Sequence, residues 1–239
     1  MMKFYRPLKR IEAITFDLDD TLYDNYDVIR RTDSETLKSI QGFHPSLAEM
    51  APDTIRLMRA ELLAEDAEIY HDVTEWRRQA VLLAMTRAGL SESDAKLGTK
   101  AAMETFALWR SRIYVPGENH DALASLAERW PLVAITNGNA DPHACGLAQY
   151  FQFTLRAGDH GRAKPYADMY KKASMKLDIP LENILHVGDD LTTDVAGSVR
   201  CGMQSCWINL REGDLMHIKD ARLLPHIEIS QLASLTALL

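Results

Sequence analysis

Apolar positions follow two rhythms along this chain. Short, largely apolar runs recur at 11–16, 132–135, 184–187 and 204–208, with a weaker one near 152–155. Runs of that length, bounded by polar residues, predict strands buried on both faces. Between 26 and 111 the spacing is helical instead. Val28, Ile29, Leu37 and Ile40 fall near helical spacing; so do Ile55, Leu57, Met58, Leu62 and Leu63, and later Trp76, Ala80, Leu83 and Ala84. His44-Pro45, Ala51-Pro52 and Gly89-Leu90-Ser91 supply breaks between these helices. Ser91 with Asp94 resembles a capping box in which Asp replaces Glu. This block contains no clear strand and predicts a small α-helical bundle.

From Val115-Pro116-Gly117 onward, helices at 118–129, 141–149, 166–177 and 192–201 alternate with the strands. Alternation of that kind predicts α/β architecture, a parallel sheet covered by helices on both faces. The strand at 11–16 is cut off from the others by the helical block. The simplest organisation is one α/β core, 1–25 and 112–239, interrupted by a helical insertion at 26–111. In the tail, 224–229 predicts a short edge strand, and 230–238 a final helix, with Thr192 or Thr193 capping the helix before it.

Composition narrows the classes. With 239 residues, 46% of them hydrophobic, the chain can bury one sizeable core plus an inserted unit. A net charge of −7 argues against a nucleic-acid or membrane-surface partner. It also means that an anionic substrate would need local cations. Cys145, Cys201 and Cys206 lack the spacing of a disulfide framework or a structural zinc site, which suits a reducing cytoplasm. The basic N-terminus is not followed by a signal-peptide core, and no stretch is long and apolar enough to span a membrane.

The candidate chemistry lies in four loops. Asp17-Leu18-Asp19-Asp20-Thr21 follows the first strand directly. It reads either as an acidic turn or as a pair of working carboxylates, one to attack and one to move a proton; three acids beside a buried strand are costly unless neutralised. Thr136-Asn137-Gly138-Asn139 is an ordinary turn or a donor set for an oxyanion. Lys164, before Pro165, is a surface charge or the cation that an acidic phosphate site lacks. Gly188-Asp189-Asp190-Leu191-Thr192-Thr193-Asp194 is a capped helix start, a Mg²⁺-binding loop, or both. In an open parallel sheet, loops at the carboxyl ends of strands share one crevice, so distant motifs can meet.

Acid pair, Thr, Lys and acid pair, each at a sheet end in that order, resemble the haloacid dehalogenase superfamily of phosphohydrolases over the full length of the chain. The resemblance implies a Rossmann-like, doubly wound parallel sheet with a helical cap inserted after the first motif. It implies Mg²⁺ as cofactor and a small-molecule phosphomonoester as substrate. Asp17 then matches the nucleophile that forms an aspartyl-phosphate, and Asp19 the general acid and base. Thr136 matches the phosphate-binding hydroxyl, Asn137 its neighbour, and Lys164 the lysine that steadies nucleophile and phosphate. Asp189 matches the metal ligand, beside the Asp17 carboxylate and the Asp19 carbonyl. Asp194 matches the second acid of that loop, which holds a metal-bound water or pairs with Lys164. Thr193 stands where many relatives have Asn, and Asp20 where many have Gly. Members that cleave carbon–halogen bonds lack the second Asp, because a halide leaves without a proton; Asp19 therefore favours phosphate transfer.

A narrower resemblance rests on Phe4–Leu8, Phe16–Asn25, Glu68–Arg77, Leu155–Pro165 and Leu185–Val195. These segments are similar to those of bacterial phosphatases acting on flavin mononucleotide and on 5-amino-6-(5-phospho-D-ribitylamino)uracil, an intermediate of riboflavin synthesis. The cap is expected to act as a lid and to select the substrate. Within it, Tyr70, Trp76 and Arg77 are either contacts for an aromatic substrate or part of the bundle core, the commoner use. A broad sugar-phosphate phosphatase, a phosphomutase and a phospho-acceptor signalling domain are the alternatives.

Overall fold

The apolar runs become strands because both of their faces are covered. In the computed structural model, which describes residues 2–210, 213–215, 217–219 and 221–239, β1 is Met2–Phe4, β2 Ala13–Phe16, β3 Leu132–Thr136, β4 Phe153–Arg156, β5 Ile184–Gly188, β6 Gln204–Ile208 and β7 Ile227–Ile229. Every residue of β2, β3, β5 and β6 is buried. The seven strands form one sheet in the order β1-β7-β6-β5-β2-β3-β4. All neighbours are parallel except β1, which runs antiparallel to β7. The sheet is therefore the expected α/β type, with β2 between β3 and β5. The chain builds β3 and β4 on one side of β2, then returns to place β5 on the other. Such a reversal opens a crevice at the carboxyl ends of the strands.

The chain divides into two compact units, Met1–Asp24, Tyr114–Gly138 and Pro142–Leu239 in one, Asn25–Ile113 with Asn139–Asp141 in the other. The first holds the sheet. The second holds four helices: α1 Tyr26–Phe43, α2 Thr54–Glu65, α3 Val73–Arg87 and α4 Glu92–Arg110. Their core is Ile40, Leu47, Val81, Met85, Leu90, Ala95 and Ala102. At Gly98 a Cβ atom would lie 2.7 Å from Met85 Sδ and 2.8 Å from the Phe43 ring, so the glycine is what lets α4 press against its neighbours. The Ser91 hydroxyl caps α4 by accepting from the Asp94 N–H at 3.1 Å. It donates in turn to the Asp94 carboxylate at 2.7 Å. Trp76 and Arg77 are tied into this unit. The Trp76 indole donates to the Arg59 carbonyl at 2.9 Å, under the Arg59 guanidinium, and Arg77 pairs with Asp33 at 2.9 Å. Tyr70 is exposed.

Four expectations need correction. Residues 141–149 do not form a helix: Asp141-Pro142 opens a series of turns, Gly146 takes φ +72°, and only Ala148–Tyr150 makes a short 3₁₀ turn. The final helix is a 3₁₀ helix, Leu232–Leu238. The tail strand is not the sheet edge, because Met2–Phe4, too short to show a period, pairs outside it. Residues 191–196 form a π turn leading into a short α-helix at Gly197–Cys201, and their cap is Asp190, not Thr192 or Thr193. The Asp190 carboxylate accepts from the Thr192 and Thr193 N–H groups at 2.8 and 2.6 Å. Of the remaining helices, α5, Gly117–Ala127, precedes β3, and α6, Asp168–Leu177, packs on β3 and β4.

Candidate active site

β2 and β5 are paired in register, Phe16 opposite Val187, and the Asp17 N–H donates to the Val187 carbonyl at 2.9 Å. That last ladder bond holds Asp17 at the mouth of the crevice. Side chains alternate along a strand, so Thr15 and Asp17 share one face of β2, and His186 and Gly188 share a face of β5. Gly188 leaves that face open. A Cβ there would lie 2.3 Å from the Asp194 Cγ, so the missing side chain is what admits the Asp194 carboxylate.

Lys164 meets this face from the loop after β4. Its ammonium is buried and lies 2.6 Å from Asp17 Oδ1 and 2.6 Å from Asp194 Oδ1. Asn137 fixes the lysine backbone from both sides: its Oδ1 accepts from the Lys164 N–H at 2.7 Å, and its Nδ2 donates to the Lys164 carbonyl at 3.0 Å. The side chain expected to bind substrate is thus engaged in holding Lys164. Thr136 is buried and its hydroxyl oxygen accepts from the Gly138 N–H at 2.9 Å, which leaves its own proton to donate.

Asp189 follows β5 and is held by its carbonyl, which accepts from the Trp207 indole at 2.8 Å. Ligand oxygens of Asp17, Asp189 and Asp194 lie within 4.8 Å of one another. Hard carboxylate oxygens this close suit a hard cation such as Mg²⁺. Asp19 enters differently, its carboxylate accepting from the Tyr23 hydroxyl at 2.8 Å. Asp20 adopts φ +57°, a conformation that glycine adopts freely and that Asp tolerates better than most.

Electrostatics follow from burial. Burial pushes the Asp17 carboxyl up, and the nearby Asp194 and Asp19 push the same way against Lys164. Burial also opposes the charge on Lys164, but the two carboxylates at contact distance outweigh it and raise its pKa. Asp194 is held below the usual carboxylate range, because Lys164 and His186 outweigh its burial. Asp189 is pushed up to about 7 by burial, then by Asp194, Asp20 and Asp190. Ionising Asp17, Asp189 and Asp194 together would therefore place more negative charge here than one lysine offsets.

Sequence reasoning missed His186. It is fully buried, with Nε2 3.1 Å from Asp194 Oδ1 and Nδ1 2.8 Å from the Thr15 hydroxyl. Its only sequence signal is a polar ring in the middle of an apolar strand.

A family model, haloacid dehalogenase-like hydrolase, matches residues 11–202. The chain is 58% identical to the 5-amino-6-(5-phospho-D-ribitylamino)uracil phosphatase YigB of Escherichia coli, over 100% of both chains. It is 25% identical to the human N-acylneuraminate-9-phosphatase, covering 97% of this chain and 95% of that one. Among solved structures, a 2-haloacid dehalogenase from Pseudomonas syringae superposes with a TM-score of 0.89 at 32% identity, covering 95% of this chain and 97% of that one. Among the described residues no helix is long and apolar enough to cross a membrane.

Proposed function

The chain belongs to the haloacid dehalogenase-like hydrolases, and from that premise we propose that it is a Mg²⁺-dependent phosphomonoester hydrolase that works through an aspartyl-phosphate on Asp17. The observation that carries this reading is the buried Lys164 ammonium 2.6 Å from Asp17 Oδ1, with Asp19 two residues along the same loop. A nucleophilic carboxylate must be ionised, and burial works against that. Lys164 works the other way, and so does a cation held by Asp17, Asp189 and the Asp19 carbonyl. When bound, Mg²⁺ supplies positive charge against the substrate's phosphate dianion.

The chain's own groups then divide the work. An Asp17 oxygen attacks phosphorus while the ester P–O bond breaks, and Asp19 gives its proton to the departing alkoxide. A water then attacks the phosphorus of the aspartyl-phosphate and passes its proton to Asp19. The Asp17 carboxylate is released with inorganic phosphate. The Thr136 hydroxyl is placed to donate to a phosphoryl oxygen. Asn137 serves by holding Lys164.

The substrate reading rests on likeness. The relative at 58% identity is named for 5-amino-6-(5-phospho-D-ribitylamino)uracil, and we assign this chain that substrate and flavin mononucleotide. The dehalogenase name of the 32% identical structure raises a second reading. Asp19 opposes it, since halide departure uses no proton donor. Phosphate release from both esters and from sugar phosphates, with and without EDTA, tests the assignment, with chloride release from a 2-chloro acid measured in parallel. EDTA-sensitive release of phosphate without chloride is expected. Chloride release without phosphate release would overturn the proposal.

A further inference from the structure

Asp194 stands between two uses. Its oxygens are close enough to those of Asp17 and Asp189 to share a cation, yet Oδ1 also receives the Lys164 ammonium at 2.6 Å. The neighbours of Asp194 favour the second use. Oδ2 accepts from the Asp190 N–H at 3.1 Å. Oδ1 faces His186 Nε2 at 3.1 Å. An ionised carboxylate only accepts, so Nε2 must carry a proton. Nδ1 lies 2.8 Å from the Thr15 hydroxyl, the residue directly opposite His186 in the β2–β5 register. The ring is fully buried, edge-on to Tyr170 at 5.0 Å, and the Asp194 Oδ1 it faces already receives the Lys164 ammonium at 2.6 Å, so a second positive charge on the ring would sit beside that ammonium. Nδ1 is therefore the acceptor, and the Thr15 hydroxyl donates to it.

We propose that His186, held by Thr15 as the neutral tautomer with its proton on Nε2, is a positioning residue that commits Asp194 to Lys164 and so fixes the ammonium on the nucleophile Asp17. The chain of contacts runs from Thr15 through His186, Asp194 and Lys164 to Asp17. Its first two members touch neither substrate nor cation. With the His186 donor removed, one Asp194 oxygen loses a fixed partner, and the carboxylate can turn from the lysine toward the cation. The inference rests on the phosphatase reading above, with Asp17 as nucleophile.

The decisive variants are His186→Gln, which keeps an N–H donor, and His186→Leu, which removes it at similar bulk. His186→Leu is expected to lower kcat by about tenfold with the substrate KM within about twofold, since one hydrogen bond to a charged group is lost. His186→Gln is expected to stay within about threefold of the parent. Equal losses in the two variants, or no loss in either, would overturn the proposal. If His186→Leu does not fold, Thr15→Val keeps the strand shape and is expected to lower kcat by about threefold; an unchanged kcat there also counts against it. A second readout is independent of turnover. In ¹⁵N-labelled, metal-free protein at neutral pH, the His186 ring should show a protonated Nε2 and a bare Nδ1. A protonated Nδ1 would overturn the assignment. A parent protein that releases no phosphate from any ester defeats the phosphatase reading instead, and leaves the tautomer to be judged by the ¹⁵N spectrum.

Discussion

The two units bury different things. The helical unit buries an apolar core of Ile40, Leu47, Val81, Met85 and their neighbours. Many of its ion pairs lie at the surface, such as Arg78 with Glu75 and Lys96 with Glu92. Pairs of that kind add little to stability. The sheet unit buries an apolar core too, but at the ends of its strands it also buries Lys164, Asp17, Asp194 and His186 together. Each of those groups is costly to desolvate and is tolerated only because the others are present. The difference teaches where to look for chemistry: the unit that carries interdependent buried charge is the one whose stability and reactivity cannot be separated.

The largest expected effect comes from Asp17→Asn. It keeps the shape and removes the carboxylate we propose as the attacking group, and phosphate release should fall by about 10⁴-fold or more with the circular dichroism spectrum unchanged. Ordinary turnover in that variant would break the comparison outright. Next is Lys164→Met, which leaves Asp17 and Asp194 facing each other without a cation. It should cost about 3–5 kcal/mol in urea unfolding, partly restored by Mg²⁺. In the helical unit, Met85→Ala removes a buried side chain with no charge partner. A loss of about 2–5 kcal/mol is expected, with no dependence on Mg²⁺, so the two variants separate the two kinds of burial.

The smallest effect is a pH dependence. Burial holds His186 below its ordinary value of 6.5, against the pull of Asp194. In the unfolded chain the ring takes up a proton near that ordinary value; in the folded chain it does so only at lower pH. The contribution of neutral His186 to stability is therefore complete above 6.5 and is lost as pH falls toward the folded value. His186→Gln removes this one contribution, so its melting temperature should fall less than the parent's on acidification from neutrality. A parallel decline in both proteins would show that the acid sensitivity lies elsewhere.

Much of this arrangement was legible in the chain. The buried strands announced themselves as apolar runs, and the motifs followed them at the strand ends. The parallel sheet and the helical insertion followed from alternation. What stayed hidden depends on register and on side-chain choices between partners. Nothing local says that Thr15 lies opposite His186, because their pairing is set by β2 meeting β5 across 171 positions of sequence. Asp190 won the cap over two threonines because its carboxylate reaches both amides. Nothing local says that both ends of the Asn137 amide engage the Lys164 backbone, 27 positions away. Residues 141–149 kept enough Ala and Leu to suggest a helix, but Pro142 and the φ of Gly146 outweighed propensity.

The strand order also sets a timetable for synthesis. Asp17 leaves the ribosome early, but Lys164 follows 147 residues later. β2 lies between strands that begin at Leu132 and Ile184, so it has no sheet neighbour until the first is made and lacks its second until the other follows. The helical unit makes most of its contacts within Asn25–Ile113, and low sequence separation favours fast folding. The insertion should therefore take shape on the nascent chain while the first acid loop is still hydrated. Met2–Phe4 waits longest of all, for Ile227–Ile229. Arrested chains cut after about residue 130 should protect the helices from protease and leave Asp17 exposed, so the reactive centre is assembled last from a part made first.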